Sequence, residues 1–137
     1  LGVQLKRVEF DAPEDLDSAF ASMSKEHASG VVMLSDPTIV GQFRRVADLA
    51  IKHRLPSIYV NPLYAEAGGL MAYGSNGPEM FRRAAGYVDR ILKGTKPADL
   101  PVEQPMKFEL IVNGKTAKAL GIKIPNSILV RADKVIE

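Results

Sequence analysis

The strongest constraint on the fold is a continuously apolar run, residues 31–34, between two segments whose apolar residues recur at helical spacing. In the segment before the run these residues are Leu16, Ala19, Phe20 and Met23. In the segment after it they are Ile39, Phe43, Val46, Ala50 and Ile51. A short apolar run between two helices is typical of a parallel-sheet strand covered on both faces. The pattern predicts an α/β fold with right-handed crossovers.

Further strand and helix signals extend this pattern along the chain. Residues 4–10, 57–60 and 70–73 are short β-prone runs, so the first sixty residues predict the order β-α-β-α-β. The clearest helix follows Pro78 and carries one apolar stripe, which we expect to pack, made of Phe81, Ala84, Ala85, Val88, Ile91 and Leu92. The predicted fold class is a three-layer, open, mostly parallel sheet flanked by helices.

A proline-rich stretch divides the chain into two predicted segments. Three prolines between residues 95 and 105 forbid regular structure and favour an extended connector. We therefore predict an α/β ligand-binding lobe at residues 1–94 and a segment at residues 95–137 with the connector, a strand and a short helix. Asn113 is the expected cap of that helix and Gly121 its end. The pattern predicts no definite secondary structure for residues 122–137.

Charge and residue usage exclude several functions. The 137 residues include 18 Lys and Arg against 16 Asp and Glu, and the basic residues are scattered, so nucleic-acid binding is not expected. The chain has no cysteine, which rules out thiol nucleophiles and cysteine-ligated metals. It begins at Leu1 rather than methionine, in a strand-like segment and without a signal-peptide pattern, so we expect it to be a fragment.

The ends of the predicted strands select the candidate ligand-binding residues. In open parallel sheets, ligands bind outside the carboxyl ends of the strands. The polar and aromatic residues predicted there are Ser35, Asp36, Thr38, Asn61, Tyr64 and Tyr73, followed by Ser75 and Asn76. Asp36 suits either a ligand ammonium group or a helix cap before Pro37. The two tyrosines suit either a cleft wall or ordinary packing.

No catalytic motif is present in the sequence. His27 and His53 fall near the ends of predicted helices, where a cation suits the helix dipole. There is no phosphate-binding glycine loop, no nucleophile elbow and no zinc-protease motif. We therefore predict a chain that is not an enzyme and that uses no cofactor and no metal.

Several ordered blocks carry a family resemblance. The chief block is residues 92–113 (LKGTKPADLPVEQPMKFELIVN), with residues 66–74 (EAGGLMAYG) before it and residues 115–122 (KTAKALGI) after it. They resemble the ABC-transporter substrate-binding proteins of the periplasmic-binding-protein type 1 class. The resemblance implies two α/β lobes that close on a small solute, a membrane permease as partner, and a periplasmic location. This chain resembles the second lobe and the C-terminal segment.

The resemblance leaves the solute open. Family members that bind amino acids place Asp-Asn where this chain has Asp36 and Pro37, with the carboxylate on the ligand amine. This chain has the same carboxylate at Asp36, but Pro37 takes the place of the asparagine. Two alternatives to a transport lobe are the effector-sensing domain of a transcription regulator and a small flavodoxin-like enzyme. We also expect that the exposed cleft face of an isolated lobe can support a homodimer.

Overall fold

The computed structural model describes residues 2–137, so the predicted start of the lobe at Leu1 lies outside the described residues. The helices are α1 Leu16–Lys25, α2 Phe43–Lys52, α3 Pro62–Glu66, α4 Gly77–Leu92, α5 Gly114–Leu120 and α6 Asn126–Leu129. The strands are β1 Val31–Met33, β2 Ser57–Tyr59, β3 Met71–Ser75, β4 Phe108–Asn113 and β5 Lys134–Ile136. Single 3-10 turns lie at Pro13–Asp15, Pro37–Ile39 and Pro97–Asp99.

All five strands form one sheet in the order β1-β2-β3-β4-β5. The pairings β1–β2, β2–β3 and β4–β5 are parallel, and β3–β4 is antiparallel. The predicted α/β class with a mostly parallel sheet flanked by helices is confirmed. Because β4 and β5 extend the sheet that β1 to β3 begin, the segments 1–94 and 95–137 share one sheet.

The core lies between one face of this sheet and the first three helices. Its fully buried side chains include Leu16 and Phe20 of α1, Val46 of α2, Tyr59 of β2 and Ala65 of α3. The apolar stripes predicted for α1 and α2 therefore supply the core. Right-handed crossovers that run from β1 to β2 to β3 in one direction place their helices on the same side.

The other face of the sheet is open at its β1 side. Val32 is 62% exposed, and Tyr73 of β3 is 53% exposed. The prediction that residues 31–34 are covered on both faces is wrong for the described residues. The Val32 face has no helix over it because α1, α2 and α3 all pack on the opposite face of the sheet.

Residues 4–10 form no strand, contrary to the prediction from their apolar pattern. Val3 and Leu5 are 70% and 85% exposed. A strand exists only by pairing, and within residues 2–137 the β1 strand pairs with β2 alone. The sequence pattern therefore marks a β-prone segment that pairs with no strand in the described residues.

α4 and residues 93–107, together called the arm, project from the sheet. Within the described residues no side chain of α4 is buried, and Phe81 and Leu92 are 79% and 81% exposed. The expectation that the stripe packs is thus wrong for this chain. The polar side of α4 contacts the connector: Arg83 pairs with Glu103 at 3.1 Å, and the Tyr87 hydroxyl donates to the Pro101 carbonyl at 2.6 Å.

A buried polar cluster fixes α5 to the core. Asn113 caps α5 by accepting from the Thr116 backbone N–H at 3.1 Å, and its amide donates to the Ala65 carbonyl at 3.0 Å. The Thr116 hydroxyl donates to the Gly68 carbonyl at 2.7 Å. The helix ends at Gly121 in the left-handed conformation, φ 72°. The predicted cap and end of this helix are both confirmed.

Candidate functional site

The candidate site lies at the carboxyl edge of β1 and β2. Met33 of β1 is in register with Tyr59 of β2, so the loops that leave the two strands emerge side by side. The loop after β1 carries Ser35, Asp36 and Thr38, and the loop after β2 carries Asn61. Ser35, Asp36 and Thr38 are exposed. Four of the six predicted residues therefore share one edge.

Asp36 begins the 3-10 turn at Pro37–Ile39. Its Oδ1 accepts from the Thr38 backbone N–H at 2.8 Å and from the Thr38 hydroxyl at 2.6 Å. These two bonds, first the hydroxyl and then the backbone, lower the pKa of the Asp36 carboxyl below its ordinary value. The capping interpretation is confirmed, and the carboxylate stays ionised at neutral pH with Oδ2 free of this cap.

Asn61, after the neighbouring strand β2, also caps the helical turn that follows it. Its Oδ1 accepts from the Leu63 backbone N–H at 3.0 Å and caps α3, whose first residue is Pro62. The cap uses the amide oxygen, which leaves Nδ2 as a donor at the edge. The edge thus offers an anionic acceptor at Asp36 and a neutral donor at Asn61.

Tyr64 lies beneath this edge rather than on it. The side chain is 4% exposed, stacks on Tyr59 with centroids 4.6 Å apart, and meets Phe43 edge-on at 4.8 Å. Burial, and secondarily the Asp36 charge, raise the pKa of Tyr64. Its ring is therefore part of the core beneath the edge.

Tyr73 points to the open face of the sheet. Its ring stacks on Phe108, with centroids 5.7 Å apart and an angle of 24° between the planes. The antiparallel register, which pairs Tyr73 with Leu110, brings Phe108 diagonally opposite. Tyr73 therefore lies on the open face of β3, next to Gly74, which closely approaches Val60 at the end of β2.

Tyr59 holds a hydroxyl without a hydrogen-bond partner in the described residues. The side chain is 1% exposed. Burial raises the pKa of Tyr59 from 10.0 to about 12, and the neighbouring Ser57 hydroxyl offsets this only partly. An unfolded tyrosine ionises near pH 10, whereas Tyr59 in the folded chain stays protonated up to about pH 12. Between these two pH values, loss of the proton stabilises the unfolded state and lowers the free energy of unfolding.

We therefore expect the chain to lose stability between pH 10 and about 12. In Tyr59→Phe the loss of unfolding free energy at the top of this range should be smaller by about 2 kcal/mol. Near neutral pH the variant should be at least as stable, because the hydroxyl it removes is buried and unpaired in the described residues. Urea unfolding across the pH range measures both effects. Tyr73→Phe, at a half-exposed ring, is the matched control. Equal alkaline slopes for the wild type and Tyr59→Phe would contradict the assignment.

A separate groove of about 600 Å³ lies on the outer surface of α1 and α2. Its charged lining includes Asp17, Arg44, Arg45 and Asp48, which pair as Arg45–Asp17 at 2.7 Å and Arg44–Asp48 at 3.0 Å. None of the six predicted residues lines it. These four charges are paired with one another, and Lys52 is a further cation of the lining.

Residues 2–137 contain no group of three or more His, Asp or Glu side chains placed to hold a metal ion. In the same residues, no helix combines the length and the apolar character needed to cross a membrane.

Comparison with known proteins then decides the family. The family model described as ABC transporter substrate binding protein matches residues 1–136, which is almost the whole chain. The chain belongs to this family. A search among curated proteins gives no significant match. Membership in a substrate-binding family agrees with a role in binding a small solute.

Solved structures agree with this membership. An ABC domain from Streptococcus pneumonia in complex with L-Trp is 26% identical and has a TM-score of 0.89, covering 98% of this chain and 45% of its own. A conserved domain protein from Vibrio cholerae O1 biovar El Tor is 27% identical, with a TM-score of 0.83 and coverage of 90% and 42%. CD0873, a substrate binding protein with adhesive properties from Clostridium difficile, shares the fold at 20% identity and a TM-score of 0.64, with coverage of 93% and 42%. The chain spans less than half the length of each.

Proposed function

We propose that this chain is one of the two lobes of the solute-binding component of an ABC importer, and that the solute binds between the lobes. The family match supports solute binding. Neighbours that align with nearly all of this chain are more than twice as long, which supports a second lobe of similar size. An edge of polar loops at the ends of β1 and β2 would then form one wall of the cleft.

The observation that carries this proposal is the bare apolar stripe of α4. Phe81, Val88 and Leu92 lie on one side of the helix at 79%, 55% and 81% exposure, while the other side is bonded to the connector. An exposed apolar patch of this kind marks a surface that packs against another. In the proposal the arm packs on the other lobe and joins it to the sheet.

The solute is proposed to carry a protonated amine. Asp36 presents an ionised carboxylate with one oxygen outside its own cap, and the S. pneumonia neighbour is described in complex with L-Trp, an amino acid. Pro37 provides no side-chain amide beside Asp36, so the second polar contact would come from Asn61 Nδ2 after the neighbouring strand. Tyr64 supports the edge from below and makes no ligand contact.

The remaining parts of the proposal concern partners. Closure of the two lobes would be sensed by a membrane permease, and the protein would act outside the cytoplasm. When the chain is produced alone, we propose that two copies associate through its exposed cleft face. The regulator and enzyme alternatives gain no specific support from the described residues.

A thermal-shift screen of the complete product of the encoding gene tests the proposal. The panel contains amino acids, amines, small carboxylates and sugars, and the 137-residue chain is run in parallel. We expect an amine-bearing solute to raise the melting temperature of the complete product and to leave the chain alone almost unshifted, because one wall excludes little water. An equal shift in both proteins would contradict an interlobe site, and a response to sugars alone would contradict the amine.

A further inference from the structure

We propose that Asn76 and Glu109 form the joint that sets the angle between the arm and the sheet, an inference that rests on the proposed function for its consequence in solute binding. The arm leaves the sheet after Ser75, the last residue of β3, and returns to it at Phe108, the first residue of β4. These two neighbouring crossings are the covalent connections between the arm and the sheet. Interactions that hold these two crossings in place therefore set the direction of the arm.

The side chain and the backbone N–H of Asn76 make three hydrogen bonds at this crossing. Its Oδ1 accepts from the Glu79 backbone N–H at 2.8 Å, which caps α4. Its Nδ2 donates to Glu109 Oε1 on β4 at 2.6 Å, and its backbone N–H donates to the Lys107 carbonyl at 3.3 Å. One side chain therefore ties the first turn of the arm to a strand of the sheet.

Glu109 has a second, weaker partner. The Lys107 ammonium lies 3.6 Å from the same Oε1, but it is 65% exposed, whereas the Glu109 side chain is 22% exposed. An exposed lysine at this distance contributes little and is screened by salt. The shorter, half-buried bond from Asn76 is directional, and it opposes rotation of α4 about the crossing.

The proposal has a variant that separates the joint from the helix cap. Asn76→Asp keeps the cap, because aspartate caps helices as well as asparagine, but it replaces the amide donor with a carboxylate facing Glu109. Adding Glu109→Gln supplies an amide on the other side, so the double variant N76D/E109Q restores the bond with its polarity reversed. Glu109→Gln alone retains an acceptor for Asn76 and serves as the control.

The absence of cysteine from the chain allows the angle to be measured directly. Spin labels at Lys93→Cys on the arm and Lys118→Cys on α5 report the distance between arm and sheet. We expect Asn76→Asp to shift or broaden the distance distribution, and N76D/E109Q to return it to that of the wild type. Helix content by circular dichroism should be the same in all four forms. An unchanged distribution in Asn76→Asp, or one that the double variant does not restore, would overturn the joint.

The consequence for binding is read in the complete gene product with the solute found in the screen. We expect affinity to fall about tenfold in Asn76→Asp and to recover in N76D/E109Q, because coupling between distant parts of a protein is commonly of this size. Altered distances with unchanged affinity would overturn the link to binding. If no solute binds at all, the proposed function fails while the distance measurement still decides the joint.

Discussion

Replacing Gly74 with alanine is expected to destabilise the chain by about 4 kcal/mol, at the upper end of what a single added methyl group does. Gly74 lies in β3, where the chain leaving β2 crosses it closely. A Cβ at this position would stand 1.8 Å from the Val60 carbonyl oxygen and 2.8 Å from the Val60 carbonyl carbon. Both are backbone atoms, so relief requires the β2 end or β3 itself to move.

Gly86→Ala is the matched control for this substitution. Gly86 lies inside α4, where an added methyl group would meet no heavy atom of the described residues within 4 Å beyond the adjoining backbone of its own helix. Alanine in a helix interior is favoured over glycine by about 1 kcal/mol. Urea unfolding of both variants should therefore give changes of opposite sign. A loss below about 1 kcal/mol for Gly74→Ala would show that the crossing is not tightly packed.

The same close approach explains why Asn61 sits where it does. Val60 directly precedes Asn61, and its contact with Gly74 holds the start of the α3 loop against β3. Gly74→Ala should therefore disturb the candidate edge as well as the core. This links a glycine of β3 to the geometry of a loop that belongs to a different crossover.

Periodicity predicted α1, α2 and α4, and the residues at its two ends predicted α5, because each helix carries a local signal that needs no knowledge of the rest of the chain. α1 and α2 bury their stripes, and Asn113 caps α5 as its position before a short helix suggested. Local capping chemistry also identified Asp36 as the start of a turn. These features depend on residues within one or two helical turns of one another.

The features that sequence failed to predict depend on partners. Residues 4–10 have the composition of a strand and form none, and the stripe on α4 has helical spacing and remains bare. The sequence left both a cleft wall and ordinary packing open for Tyr64, and its ring stacks between Tyr59 and Phe43 in the core. Pairing and packing partners are not written in the local pattern.

The contact between Asn76 and Glu109 had no signal in the sequence for the same reason. The residues are 33 positions apart and meet only because β4 runs antiparallel to β3. The proline-rich connector predicted a change of structure near residue 100, but it gave no direction for the returning strand. The arm and the joint both follow from that one antiparallel pairing, whereas the open face follows from the packing of α1, α2 and α3 on one side of the sheet.

Replacing Asp36 with asparagine is expected to weaken solute binding by about 100-fold in the complete gene product, because it removes a carboxylate proposed to pair with the solute amine. Asparagine retains an Oδ1 that accepts from Thr38, so the turn at Pro37–Ile39 should persist. Stability should change little for that reason. The loss of affinity would then report the charge rather than the loop.

Calorimetric titration of the amine-bearing solute into the wild type, Asp36→Asn and Asp48→Asn is the most direct test of a solute site at the ends of β1 and β2. Asp48 is the matched control, since its carboxylate is paired with Arg44 in the outer groove. We expect strong loss of affinity in Asp36→Asn and wild-type affinity in Asp48→Asn. Wild-type affinity in Asp36→Asn, together with a loss in Asp48→Asn, would place the site in the outer groove and contradict a site at the ends of β1 and β2.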